Sequence, residues 1–321
     1  MTLVHGMPVE NANLFENIMA EPAAYKLIEV AGEDAKTFLF GLTTSDVKQV
    51  SATYSQFSSM CDVKGRVLAS FLIFKRYDAC YLYLPAEMVA PVINKLKLHI
   101  LRAKVALSAI DDSLKVLGLA GADSTQNLAQ ALGTSLDASS PGAVVQSGDY
   151  TVILMPGQIQ PRWLVVSSAA AITELSEKLA AQFSVNPEAW SVLDAISGLP
   201  FITPGTAGNY LPQSLNLEAL GGLSFTKGCY PGQEVVARRH YRGKLTRKLY
   251  VAYADTPAVP EIGAPLYRPG NPEAIGSVVS AARHSDGPVA LQAVIEIEEQ
   301  NQGEVMLTSP GESKLVFMAE I

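Results

Sequence analysis

The helical period disappears from this chain after Gly243. Beyond that glycine, residues 249–254, 274–281, 289–295 and 314–317 read as short strands bounded by Pro/Gly turns, with no helical spacing between them. Such a run predicts a small all-β barrel or sandwich. It places a boundary near residue 246 and divides the 321-residue chain into 1–245 and 246–321.

Before that boundary, strands and helices alternate. Residues 25–30 alternate like a strand, and 33–40 carry helical spacing with Gly41 just past the end. Residues 54–61 and 67–74 form two extended runs joined at 62–66, where Lys64-Gly65 suits a hairpin turn. A strand at 77–84 follows, then a helix at 91–102 with Pro91 in its first turn. Further on come a strand at 114–119, a helix at 125–132, strands at 150–155 and 163–166, a helix at 169–183 and an amphipathic segment from Asn186. This order predicts an α+β fold with mixed or antiparallel sheets. Residues 1–21 show no period and read as a loose lead-in or short helix.

Several function classes lose support at once. No apolar run approaches the roughly 18 residues of a membrane span. The N-terminus lacks the basic and apolar regions of a secretory signal, so the cytoplasm is the expected location. Cys61, Cys80 and Cys229 are odd in number and far apart, and His5, His99, His240 and His284 are equally scattered. Neither set offers the spacing of a disulfide framework or a metal site. No phosphate-cradling glycine motif is present. A net charge of −7 opposes bulk nucleic-acid binding. One stretch runs against it: residues 238–248, RRHYRGKLTRK, hold six of the 24 Lys and Arg side chains. It reads either as a site for an anionic ligand or partner, or as a solvated strand face with long amphipathic side chains.

Residues 198–248 are polar and Gly/Pro-rich, lack a clear period and lie against the boundary, where binding loops concentrate. They contain Tyr210-Leu-Pro-Gln-Ser-Leu-Asn-Leu217, then Gly221-Gly-Leu-Ser-Phe225, then Lys227-Gly-Cys-Tyr-Pro-Gly-Gln-Glu-Val-Val-Ala-Arg238. Free cysteine is often a buried packing residue, the role expected of Cys61 and Cys80 in their apolar strands. Cys229 instead stands between Gly228 and the Pro231-Gly232 turn, with Lys227 and Arg238 as cations that favour thiolate over thiol. A functional thiol and a packing residue both remain open for it on this ground. Gln233 and Glu234 are suited either to the start of a helix or strand or to ligand contact.

This segment closely resembles the signature of the YgfZ family, KGCYxGQE followed by an arginine and preceded by a PQ…NL stretch. The resemblance continues more weakly through residues 25–41, 61–66 and 190–200. The family is related to the T-protein of the glycine cleavage system. What this implies is a T-protein-like multi-domain ring with folate in its central opening. Residues 1–245 would hold two intertwined α+β subdomains, and the last part would be a β-barrel. Tetrahydrofolate or another folate derivative is the implied cofactor. Tyr25 and Trp190 stand where the family places aromatic residues at the folate cavity, and Arg238, Arg239 and Arg242 suit the anionic glutamate tail. Cys229 is the implied reactive thiol, with Lys227 beside it.

Two departures shape the reading. Asp194-Ala-Ile-Ser-Gly198 puts Ile196 where T-proteins carry a pterin-binding Glu, with Asp194 as its substitute from the same stretch. Val67 to Ser70, after the glycine turn, hold none of the acid that T-protein catalysis uses. The resemblance therefore implies a folate-binding accessory protein, acting as a monomer, that supports iron–sulfur enzymes, including those that methylthiolate tRNA. The alternatives are a folate-dependent one-carbon transferase and a direct tRNA-binding protein using residues 238–248.

Overall fold

The computed structural model describes residues 16–156, 160–285, 287–307 and 313–318. The first element is a strand, β1 (Ile18–Ala20), buried along its whole length. It corrects the expectation of a loose or helical lead-in for its part of 1–21, three apolar residues being too few to show a period; residues 1–15 lie outside the described residues.

A five-stranded antiparallel sheet comes next in the chain, built from β2 (Tyr25–Ala31), β3 (Gln56–Cys61), β4 (Val67–Arg76), β5 (Ala79–Pro85) and β6 (Ala106–Ala109) in the order β3-β4-β5-β2-β6. Helices α1 (Ala35–Phe40) and α2 (Val89–Lys97) cover its apolar face. The β3–β4 hairpin turns where expected: the Asp62 carboxylate accepts the N–H groups of Lys64 and Arg66, and Gly65 takes φ +74°. Helix α2 stops at Lys97, not at residue 102. The apolar spacing runs on through Leu98 and Leu101, but both are exposed, so no burial sustains another turn.

The second sheet has the order β11-β1-β7-β10-β9-β8 and is antiparallel except for the β1–β11 pair. Its strands are β7 (Leu114–Ala120), β8 (Val144–Ser147), β9 (Tyr150–Leu154), β10 (Arg162–Ser168) and β11 (Ser184–Val185), backed by α3 (Ser124–Leu132) and α4 (Ala169–Leu179). Helix α5 (Pro187–Ile196) follows, capped by Asn186, whose side chain accepts the Ala189 N–H. It packs against β1, β12 (Arg247–Ala254), β14 (Ala274–Ala282) and β15 (Val289–Glu296), and its side chains join the core shared by the three sheets.

The remaining strands are β13 (Pro265–Tyr267) and β16 (Leu315–Phe317), giving a third sheet in the order β13-β14-β15-β12-β16. Met306 bridges Tyr267 on one side and Lys314 on the other, which joins the two outer strands and closes the sheet into a small barrel. Leu266, Val278, Leu291 and Leu315 fill it. Two helices bear on the sequence reading, which left a helix or a strand open from Gln233 and expected no helix beyond residue 246. Residues 233–242 form α6 (Gln233–Arg242), so the first half of the basic strip is helical rather than a strand face. The barrel region also contains a short helix, α7 (Ile297–Asn301). Only Val236 of α6 is buried, which left no apolar period to read. The fold is α+β with mainly antiparallel sheets, and no helix among the described residues is long and apolar enough to cross a membrane.

Candidate functional site

The Lys227–Gln233 loop lies on the β3–β4 turn and is tied down on both sides of Cys229. Gly232 has φ +81°, and a Cβ there would stand 2.3 Å from the Asp62 carbonyl oxygen and 2.6 Å from the Gly65 Cα. The two turns pack backbone to backbone, an approach that any side chain at residue 232 would block. Tyr230 is buried, and the nearby Cys61 adds to the burial that raises its hydroxyl pKa. Lys227 is buried as well. Its ammonium donates to the carbonyls of Phe40, at 2.5 Å, and Thr43, and sits 4.5 Å from the centre of the Phe40 ring. It thus neutralises carbonyls at the C-terminal end of α1. Between these anchors Gly228 and Cys229 are exposed, whereas Cys61 and Cys80 are buried.

These contacts give Lys227 a different role from the thiolate partner expected of it. Among the described contacts, its ammonium engages backbone and ring faces, and Arg238 faces Glu234 at 3.8 Å across one turn of α6. Burial lowers the Lys227 pKa to about 8, with Asp46 opposing the shift. Because this folded value lies below the unfolded one, the native state sheds the proton first as pH rises. Its contribution to stability is complete above the unfolded pKa of about 10.4 and is lost as pH falls through about 8. Urea unfolding of wild type and Lys227→Met from pH 7 to 10.5 should therefore show the difference shifting in favour of wild type as pH rises.

A cavity of about 880 Å³ opens where the first sheet, the segment around 213–221, α6 and β12 meet. Tyr54, Gln56, Gln213, Arg239, His240 and Tyr250 are among its lining residues. The Gln213 amide donates to the Val236 carbonyl at 2.7 Å and that of Gln56 to the Gly221 carbonyl at 3.3 Å, leaving both amide oxygens without a protein partner. Arg239 donates through Nη2 to Thr246 at 2.9 Å, while its Nε is likewise unpartnered. His240 stacks on Phe225 at 3.9 Å and faces Glu218 at 3.5 Å. Gln56 carries no signal in the sequence beyond its place in an extended run, and Gln213 stands in the PQ stretch, whose pattern does not by itself state a role for it. That stretch joins the first sheet to the barrel: the Val67 N–H donates to the Tyr210 carbonyl at 2.8 Å, and the Tyr210 hydroxyl meets Ser277 at 2.6 Å.

Tyr25, Trp190 and Asp194 come together in a second cluster, and none of them lines this cavity. Trp190 is 2% exposed and lies against the Gly118 backbone, where a Cβ would stand 2.7 Å from its ring. The Arg162 guanidinium sits 5.2 Å from the Trp190 ring centre and donates to Asp194 at 2.7 Å. Tyr25 stacks on Tyr83 at 4.8 Å and meets the edge of Phe201 at 4.9 Å. Burial pushes the Asp194 pKa up, while Arg162, the Tyr25 hydroxyl and the Trp190 N–H all favour its charged form. The Trp190 Nε1 nonetheless lacks a well-formed hydrogen bond, as do Arg162 Nε and Nη2 and the Tyr83 hydroxyl. Ile196 is buried in the apolar core, so the carboxylate of this cluster comes from Asp194. Ser197, Gly198 and Phe57 connect it to the cavity wall, and Phe57 meets Phe201 edge-on at 5.2 Å. Arg162 and Tyr83 escaped sequence reasoning because both lie inside strands and carry no motif.

The basic strip is partly neutralised. Lys244 pairs with Glu298 at 3.2 Å and Arg247 with Glu296 at 2.7 Å, both carboxylates lying at α7. Arg239 reaches the cavity, while Arg238 and Arg242 stand exposed on α6.

A family model described as the GCVT N-terminal domain matches residues 17–150. The chain is 31% identical to the tRNA-modifying protein YgfZ of Colwellia psychrerythraea, over 88% of its own length and 87% of the relative. It is 33% identical to the protein so named from Yersinia enterocolitica, over 84% and 82%, and 35% identical to that from Edwardsiella ictaluri, over 84% and 81%. Among solved structures, the glycine cleavage system aminomethyltransferase T of Bartonella henselae superposes with a TM-score of 0.73 at 17% identity, covering 96% of this chain and 86% of that one. At that identity the likeness shows a shared fold.

Proposed function

Because the chain belongs to the family of tRNA-modifying YgfZ proteins, we propose that it serves tRNA modification as a folate-binding accessory protein. In this reading it holds tetrahydrofolate or a derivative at its centre and presents Cys229 as a reactive thiol in support of iron–sulfur enzymes that methylthiolate tRNA. Residues 1–245 supply most of the folate site, and the barrel of 246–321 closes one wall of it.

The observation that carries this reading is a cavity of about 880 Å³, within the range of small-molecule sites, whose wall and neighbouring cluster hold buried polar atoms without protein partners. A pterin presents N–H donors and carbonyl or ring-nitrogen acceptors on one flat body, and buried polar groups require such partners. The Gln56 and Gln213 oxygens suit its donors; Arg162 and Trp190 suit its acceptors. Arg239 suits the anionic tail. When bound, folate supplies a carrier for one-carbon units; the chain's own residues bind it, orient it and exclude water.

The accessory reading is favoured over aminomethyl transfer by Ser70, the polar residue that follows the glycine turn in place of an acid. Its hydroxyl donates to the Pro200 carbonyl at 2.6 Å and accepts the Ile202 N–H at 2.8 Å, so it is committed to the structure. Tetrahydrofolate is expected to bind at roughly micromolar concentration, with Gln213→Ala, which removes an unpartnered amide oxygen from the cavity wall, weakening it by about 1–3 kcal/mol. Calorimetry supplemented by tryptophan fluorescence checks both. Absence of binding to folded protein at tens of micromolar, as an order of magnitude, would overturn the folate assignment.

A further inference from the structure

The outer edge of the first sheet carries a combination that the folate and Cys229 readings leave unused. We propose that strand β6, with the loop that precedes it, binds an extended acidic segment of a partner protein by strand addition.

The backbone argument comes first. β6 pairs with β2 alone among the described strands. The Ile110 N–H donates to the Leu27 carbonyl at 2.9 Å, so the alternation of an antiparallel ladder turns Ser108 and Ala106 toward β2 as well. Leu107 and Ala109 therefore point their N–H and C=O groups outward, where no described strand meets them. The opposite edge is covered, since Thr43 bridges Met60 and the Thr44 N–H donates to the Ser59 carbonyl at 2.9 Å. Edge strands are commonly protected by proline or by charges along the strand. Ala106-Leu-Ser-Ala109 carries neither, and its exposed side chains are small enough to let another strand approach.

The flanking side chains identify the occupant. Leu98 and Leu101 are 73% and 88% exposed and stand just before the strand. Lys95, Lys97, Arg102 and Lys104 surround them in sequence, and among the described ion pairs only Lys104 meets a carboxylate, that of Glu33. The acids that follow the strand are engaged, Asp112 by Lys115 at 2.7 Å and Asp111 by the Ser113 N–H at 2.8 Å, so the positive charge lies on the loop before the strand, where it steers an acidic partner. Residues 89–110 contain no Phe, Trp or Tyr, so the surface offers no stacking platform for RNA bases. A free backbone edge is used by a strand, and not by nucleic acid or lipid.

The test uses the full chain and a fluorescein-labelled peptide of sequence Glu-Val-Glu-Val-Thr-Val-Glu-Val. Anisotropy should show binding at roughly tens to hundreds of micromolar. Ala109→Pro removes one outward N–H at a position where an edge strand tolerates proline, and should weaken binding at least about tenfold with unchanged melting. Lys97→Glu combined with Arg102→Glu should do the same. In the wild type, hydrogen exchange at Leu107 and Ala109 should slow when peptide is added, a readout that needs no variant. Absence of binding at millimolar peptide, or binding that leaves these two amides unprotected, overturns the proposal. So does preferential binding of tRNA or of phosphatidylserine vesicles that Ala109→Pro leaves intact, or self-association that Ala109→Pro abolishes.

Discussion

Cys229→Ser is expected to melt and to bind folate as the wild type does, yet to leave cells that lack the wild-type chain unable to methylthiolate their tRNA. The expectation of intact folding rests on exposure. Cys229 sits at the outer point of a loop whose anchors are Lys227 on the α1 carbonyls, Tyr230 in the core and Gly232 against Gly65. None of these anchors involves the sulfur, so a hydroxyl of similar size removes no packing. The loss of function follows from chemistry, because serine is a far poorer nucleophile near neutral pH. Alkylation offers a direct check. Iodoacetamide should modify Cys229 well before the other two thiols, since Cys61 is 1% exposed with its pKa pushed up by burial to about 12, and Cys80 is buried with its pKa raised. Mass spectrometry of tRNA nucleosides from complemented cells measures the functional outcome. Full methylthiolation by a stable Cys229→Ser protein would show that the thiol is dispensable.

Arg162→Ala should cost about 3–5 kcal/mol of stability, the range for breaking a buried ion pair by removing one partner. Arg162 is 1% exposed, donates to Asp194 and covers the Trp190 ring. Its removal leaves a carboxylate in the core with no cation and opens a gap beside the indole. Asp194 already has a raised pKa through burial, so its proton stabilises the native state: that contribution is present below the unfolded pKa and lost as pH rises through the folded one. The gap between Arg162→Ala and wild type should accordingly narrow on acidification, which urea unfolding at several pH values can measure. Arg162→Met with Asp194→Leu should recover much of the stability, since both buried charges are gone. The double variant should still lose folate affinity if the unpartnered donors of Arg162 recognise the pterin. A double variant that binds folate like the wild type would remove this pair from the site.

The sequence by itself determined the features that depend on local sterics and on pattern. Alternation at 25–30 and extended runs at 54–61 and 67–74 marked strands of the first sheet, Lys64-Gly65 marked the hairpin because a left-handed backbone favours glycine, and Pro/Gly-bounded strands after Gly243 marked the barrel region. The spaced residues from Lys227 to Arg238 marked the family. Tertiary structure alone decided which of these features meet. Gly65 and Gly232 lie far apart in the chain, and no local rule states that residue 232 must lack a side chain to let the Gly65 backbone approach. Lys227 reads as a neighbour of Cys229, but its long side chain turns into the core to satisfy the end of α1. Arg162 joins Asp194 and Trp190 only when β10 packs beside α5, and Glu296 and Glu298 reach the basic strip only once the barrel has folded. The choice between helix and strand from Gln233 onward was open for the same reason: with Val236 as the one buried residue of α6, tertiary packing decided it.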